Sequence, residues 1–320
     1  MNKFIKIDGG YGRCIAATGP IKEYAKNSKD KVFVVTSFTE VFEGIDGIER
    51  VYNIGTPYLY EDHISKGEFI EPEPYNHYMY YKDDKHLATV FNYLLNNKDE
   101  FIQPFIDLTE TEQIEAKQFI EQMKKENDNK PIIFIQPWAS SGGYLAEENK
   151  VKPDETFRSI QFEFGKRLTS KLIEKGYLPF IIKAGNQVGF EGCKTFNNLP
   201  IRKQIALIPY IDGVICVDSF MHHAVAALGN PVKTVVLWGG TNPKNLSYKD
   251  QHNILPWKTP LYEPNRVPHD HAYYVTKNKG VNDFKLEIIN EIMGVFENGG
   301  NNKKDLDKRT SVEEHSESKE

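Results

Sequence analysis

Two rhythms of apolar and polar positions run along the chain. Short runs rich in Val, Ile and Phe alternate with stretches whose apolar residues recur three and four apart. The first rhythm fits strands buried on both faces, the second the helices that cover them. Phe4–Ile7 is the first apolar run, and it leads into Asp8-Gly9-Gly10-Tyr11-Gly12-Arg13. A helical stretch follows, with Ile15, Ala16, Ile21 and Tyr24 as its inward side. Val32–Thr36 predicts a second strand, Phe38–Ile45 a short helix and Glu49–Asn53 a third strand. That order is βαβαβ, one half of a doubly wound sheet. His86–Leu95 and Glu110–Lys125 read as helices, the second with Ile114, Phe119, Ile120 and Met123 at core spacing.

The second half repeats the scheme. Ile132–Gln136 predicts a strand that ends in Pro137-Trp138-Ala139-Ser140-Ser141-Gly142-Gly143, and Gly142–Thr156 reads as a mobile polar loop. Ile160–Lys175 is an amphipathic helix, and Phe180–Ile182 a short strand with Pro179 just before it. Ile201–Ile208 is helical. Gly213–Val217 is a strand, followed by a helix through Leu228 and a strand at Thr234–Leu237 that empties into Trp238-Gly239-Gly240-Thr241. Ser219 is placed as that helix's N-cap, with Gly229 and Pro231 as its stop. Lys249–Pro268 shows no period, and Asp283–Phe296 is a last helix. The polar run at Glu126–Lys130 divides the chain into α/β domains at 1–127 and 128–297. Residues 298–320, rich in Gly, Asn, Ser and Glu, form a disordered tail. Strand-end loops on two such domains predict a cleft between them.

One stretch breaks the scheme. Tyr58–Tyr81 carries two prolines, many tyrosines, His63 and His77, and no clean period. Such a segment is either a binding loop or a surface excursion packed on the sheet. His63, His77 and His86 lack metal-ligand spacing on one helix face, so no metal is expected.

Composition narrows the partners. The 320 residues suit about two domains, and 39% apolar with 12% aromatic residues suffices for their cores. A net charge of −5 offers nucleic acid no long-range attraction. No apolar run approaches the ~20 residues needed to span a bilayer, which leaves peripheral membrane contact open. Cys14, Cys193 and Cys216 are isolated from one another and read as reduced thiols of a cytoplasmic protein.

The candidate chemistry lies where strand meets helix. Asp218, Ser219 and His223 sit at the carboxyl end of Gly213–Val217, where open α/β sheets bind ligands and a helix N-terminus offers free N–H groups to phosphate. They could also be plain caps and a core histidine. The glycine turn Gly9-Gly10-Tyr11-Gly12 opens a helix straight after the first strand but lacks the dinucleotide spacing, so it is a tight turn or a ligand-lined one.

Those residues resemble a family. Asp218-Ser219-Phe220-Met221-His222-His223, then Ala226-Ala227-Leu228-Gly229-Asn230-Pro231, then Gly239-Gly240-Thr241-Asn242-Pro243 is similar to the C-terminal motif of glycosyltransferase family 9, the ADP-heptose:lipopolysaccharide heptosyltransferases. Weaker similarity runs through GGYGRCIAATGPI, QPWASSGG and GYLPFIIKAGN. The resemblance implies a GT-B fold, two Rossmann-like domains facing across a cleft. It implies an inverting, metal-independent glycosyltransferase without cofactor, with a nucleotide-diphosphate sugar donor, ADP-linked in the family. The acceptor would be a hydroxyl of a cell-surface glycan, as in lipopolysaccharide biosynthesis. Ser140, Ser141, Arg158, Asp218, Ser219, His223 and Thr241 match the donor-side positions, with Glu191 as the acid toward the ribose. Gly10, Gly12, Arg13 and His63 fall to the acceptor or anion loop.

Two departures stand out. The family's Gly-Asp pair, whose Asp is the general base, reads Gly12-Arg13 here. Arginine cannot take that proton at neutral pH, which leaves Asp8, then Asp62 and His63, as candidates. Phe220 replaces a glycine beside the phosphate. Phe220 bears on the backbone's approach to the diphosphate and on donor identity. The Gly12-Arg13 substitution opens the alternative of a GT-B protein that binds a nucleotide sugar without transferring it, in a regulatory or scaffolding role.

Overall fold

The computed structural model describes residues 1–139, 145–147, 150–152, 158–185, 187–256 and 283–297. The first half is built on β1 (Lys3–Lys6), α1 (Tyr11–Asn27), β2 (Val32–Thr36), β3 (Ile48–Asn53) and β4 (Glu68–Ile70), followed by α2 (Leu87–Asn96) and α3 (Glu110–Lys125). Its sheet is parallel, in the order β3-β2-β1-β4. Phe38–Ile45 is not a helix: only Thr39–Val41 makes a 3-10 turn, and Gly44 at φ +79° reverses the chain so that Val41, Phe42 and Ile45 can all be buried. β4 lies inside the tyrosine-rich stretch and has just one half-buried position, so no apolar run announces it.

The two faces of this sheet are covered differently. Ile5, Ile7, Val32 and Val34 pack under α1. Phe4, Phe33, Val35 and Tyr52 point to the other face, where Leu59 and Ile64 of the tyrosine-rich stretch cover them. α3 is sealed by a capping box between Thr109 and Glu112. Its Ala116, Ile120 and Met123 are buried, whereas Ile114 is 49% exposed on the opposite side of the helix.

The second half carries β5 (Ile132–Gln136), the hairpin strands β6 (Leu145–Glu147) and β7 (Lys150–Lys152), α4 (Phe162–Glu174), β8 (Leu178–Lys183), β9 (Lys194–Asn197), α5 (Ile201–Leu207), β10 (Gly213–Val217), α6 (Phe220–Ala227), β11 (Thr234–Leu237), β12 (His252–Ile254) and α7 (Glu287–Glu297). Six of these strands form a parallel sheet in the order β12-β11-β10-β5-β8-β9. The stretch read as one loop at Gly142–Thr156 thus contains the antiparallel pair β6-β7, and Lys249–Pro268 contains the edge strand β12. Pro179 stands inside β8. Leu178 N–H bonds Pro131 of the β5 side, so the next residue's amide would face β9, whose pairing starts one residue later at Phe180. The missing proline donor therefore leaves nothing unpaired. The tail at 298–320 lies outside the described residues.

The halves meet along a continuous core that includes Ile5 and Ala16 from one and Phe134, Cys216 and Met221 from the other. Arg202 of α5 ties them. It pairs with Glu112 and also donates to the carbonyls of Glu40 (2.9 Å) and Asp107 (2.6 Å). That pairing holds the Glu112 carboxyl down at about 2.

Candidate functional site

Each sheet changes winding direction once on either side of a central strand. In the first, β1 leads to β2 and β3 on one side, while β4 returns on the other. In the second, β5 leads to β8 and β9, and β10 returns beside β5. Such switch points open a crevice at the strands' carboxyl ends. Asp8, Gly9 and Gly10 follow β1, and Pro72 to Tyr75 lie just beyond β4. Asp218 follows β10, and Trp138 lies just beyond β5.

The second crevice holds a buried polar chain. Asp218 is 4% exposed. Its Oδ1 accepts from His222 Nε2 at 3.1 Å, and its Oδ2 is 3.8 Å from Arg158 Nη1. Burial alone would push its carboxyl up, but the bond from His222 and the Arg158 charge outweigh it, holding the group well below the usual range. Ser219 caps α6, its Oγ accepting from Met221 N–H. His223 Nδ1 is 2.7 Å from the Tyr248 hydroxyl. Burial, with His222 beside it, pushes the His223 imidazolium well below its usual value, and burial pushes the Tyr248 phenol up. Both are therefore neutral. We assign Tyr248 as the donor, which leaves the imidazole proton on Nε2.

That Nε2 faces the other half. A Cβ placed on Gly12 would lie 2.7 Å from His223 Cδ2 and 3.1 Å from Nε2, so only glycine fits there. The N-terminal turns of α1 and α6 thus converge, and their partial positive ends share one space. Gly9 and Gly10, at φ +100° and +146°, bend the chain from β1 into α1. The loop after β11 closes the side. Asn242 and Lys244 bond Asp84 at 3.2 and 3.0 Å, and Asn245 Nδ2 donates to the carbonyls of Tyr80 and Lys85 at 2.9 Å each. Thr241 Oγ1 is buried in that loop with no partner among the described residues.

The remaining expected residues have these surroundings. Arg13 donates to Glu73 Oε2 at 2.9 Å and to Pro72 O at 3.3 Å, and lies over the rings of Tyr75 and Phe91. Asp8 Oδ1 accepts from Ser37 N–H at 3.3 Å, beyond the end of β2. His63 packs on Tyr52, on the sheet face away from α1. Glu191 is exposed on the turn before β9, where the neighbouring Gly192 abuts Ile173 in the last turns of α4. Phe220 is half-buried with its ring 6.2 Å from Tyr11. Ser140 and Ser141 lie outside the described residues.

The sequence reading did not single out His222, Tyr248 or Glu73. His222 had a signal, four residues after Asp218 on one helix face. The other two are joined to the site only by the fold. The ligand-bearing atoms of Asp218, His222 and His223 lie within 4.8 Å of one another. Hydrogen bonds already engage one ring nitrogen of each histidine, and Arg158 supplies the positive charge beside the carboxylate. The thiols are no nucleophiles: burial pushes Cys14 and Cys193 up to about 12 and Cys216 higher still. No helix among the described residues is long and apolar enough to cross a membrane.

Two parallel α/β halves joined this way, with strand-end loops turned toward each other, define a GT-B fold. Solved structures share it. The ADP-heptose lps heptosyltransferase II of E. coli matches with a TM-score of 0.58 and 12% identity, over 87% of this chain and 98% of its own. A glycosyl transferase family 9 protein of Veillonella parvula matches at 0.57 and 14% identity, over 79% and 84%. TibC, an iron-containing dodecameric glycosyltransferase from enterotoxigenic E. coli, matches at 0.57 and 9% identity, over 92% and 75%. At these identities the shared property is the fold. No family model matches the sequence, and no curated protein sequence does.

Proposed function

We propose that the chain is a glycosyltransferase that binds a nucleotide-diphosphate sugar at the α6 N-terminus and passes its sugar to a hydroxyl. The observation that carries this reading is the His223 ring, bonded to Tyr248 and seated against Gly12 between two helix N-termini. A leaving diphosphate needs such preorganised positive poles. Arg158, Ser219 and Thr241 line the same side, and Ser140 and Ser141 are proposed as further donor-binding residues. Asp218 repels phosphate, so its role is to hold His222 and Arg158 in place. The reaction would be inverting and metal-independent, with an ADP-linked, heptose-like donor and a cell-surface glycan as acceptor, as in lipopolysaccharide biosynthesis. Three free thiols suit a cytoplasmic location.

A second reading has its own support. Arg13 stands at the position where the family places its base, so the protein would bind the nucleotide sugar without transfer. Thermal shift against nucleotide-diphosphate sugars, followed by nucleoside-diphosphate release, separates the two. Stabilisation with release supports transfer, stabilisation alone supports binding, and no stabilisation by any nucleotide sugar refutes both.

A further inference from the structure

The first half also presents a carboxylate, at a place no local motif marks. A hydroxyl attacking a sugar carbon must lose its proton as the bond forms, and a positioned base makes that loss easier. We infer that Glu73 is the group that takes it, an assignment that rests on the glycosyl-transfer reading above. Glu73 stands just beyond β4, in the crevice opened where the first sheet changes winding direction between β1 and β4. Two donors fix its carboxylate: Arg13 Nη2 at Oε2, 2.9 Å, and Tyr75 N–H at Oε1, 3.2 Å. Arg13 is itself held over the Tyr75 and Phe91 rings. The Glu73 side chain remains 38% exposed, so a substrate can reach it. Arg13 therefore occupies α1's first turn and holds there a carboxylate brought from β4.

Several other acids at the facing loops have partners of their own. Asp218 is buried against His222 and Arg158. Asp84 binds Lys244 and Asn242. Glu40 accepts from the Tyr11 hydroxyl at 2.7 Å. Asp8 turns toward Ser37, past β2 and away from β4. Burial pushes the Tyr75 phenol up to about 12, and the His223 imidazole is too weak a base. In the step, the acceptor oxygen bonds the sugar's anomeric carbon and its proton passes to a Glu73 oxygen. The bond from that carbon to the diphosphate oxygen breaks, and the nucleoside diphosphate leaves with the electron pair.

The test compares Glu73→Gln, which keeps an oxygen for Arg13, with Asp8→Asn. Nucleoside-diphosphate release is followed with water or a sugar hydroxyl as acceptor, and again with azide, which attacks without losing a proton. Glu73→Gln should lower kcat at least about 100-fold with hydroxyl acceptors, change the donor KM less than about threefold, and regain turnover with azide. Asp8→Asn, the competing assignment, should lose at least about tenfold less rate than Glu73→Gln. A Glu73→Gln enzyme near wild-type rate, a loss that azide does not relieve, or an equal loss in Asp8→Asn overturns the assignment. A wild type that no nucleotide sugar stabilises overturns the parent reading itself, which is a separate result.

Discussion

Gly12→Ala probes the contact between the halves directly. In α1 alone, alanine in place of glycine should stabilise a helix by about 1 kcal/mol. In this structure the new methyl would lie 2.7 Å from His223 Cδ2, where ordinary contact begins near 3.4 Å. His223 cannot yield freely, because its Nδ1 is bonded to Tyr248 and its ring lies 4.0 Å from that of His222. Forcing a methyl into such packing costs about 1–3 kcal/mol. The two effects leave a net loss of about 1 kcal/mol, or a Tm lower by roughly 2–4 °C. The displaced imidazole should also weaken nucleotide-sugar binding by about tenfold, roughly 1.4 kcal/mol. Thermal shift with and without ligand reads both effects. A variant that melts higher than wild type and binds as well would show that the two helix N-termini do not meet, and the site as drawn would fall.

Other predictions follow the same contacts. Tyr248→Phe removes the hydroxyl that sets the His223 tautomer and should cost about 1–2 kcal/mol, with donor affinity falling severalfold; unchanged affinity would separate that pair from the ligand. Arg202→Ala leaves Glu112 and the Glu40 and Asp107 carbonyls without their shared donor. It should cost about 2–4 kcal/mol, read by chemical denaturation, and a loss under about 0.5 kcal/mol would remove Arg202 as the tie between the halves. Burial holds His86 down at about 4, from 6.5. Above pH 6.5 folded and unfolded chains are alike neutral. Below it the unfolded chain takes a proton that the folded one refuses, so stability falls until about pH 4. His86 Nδ1 caps α2 through Ala88 N–H, a task asparagine can keep, so His86→Asn should shrink the Tm loss between those pH values; an unchanged profile refutes it.

How much the sequence revealed depended on burial. The central strands β2, β5, β10 and β11 are buried along their whole length, so each appears as an unbroken apolar run. The edge strands β4, β9 and β12 are short and none is buried along its length, and their sequences EFI, KTFN and HNI carry neither run nor alternation. The Asp218–Ser219 junction was legible because strand end, cap and helix are contiguous. Tyr248 lies 25 residues beyond His223, and Glu73 lies 60 beyond Arg13. Only the sheet order brings such pairs together. The first-turn Arg13 had the opposite difficulty: its position suggested an anion loop, but its guanidinium is already engaged by Glu73.

The central claim is tested most directly by nucleotide-sugar binding. Titration calorimetry of the wild-type chain with ADP-linked and UDP-linked sugars, repeated on His223→Ala, should show saturable binding in the wild type. The variant should bind at least about tenfold more weakly, a difference of about 1.4 kcal/mol. Equal affinity in both proteins, or binding by neither, would contradict the placement of a donor diphosphate at the α6 N-terminus.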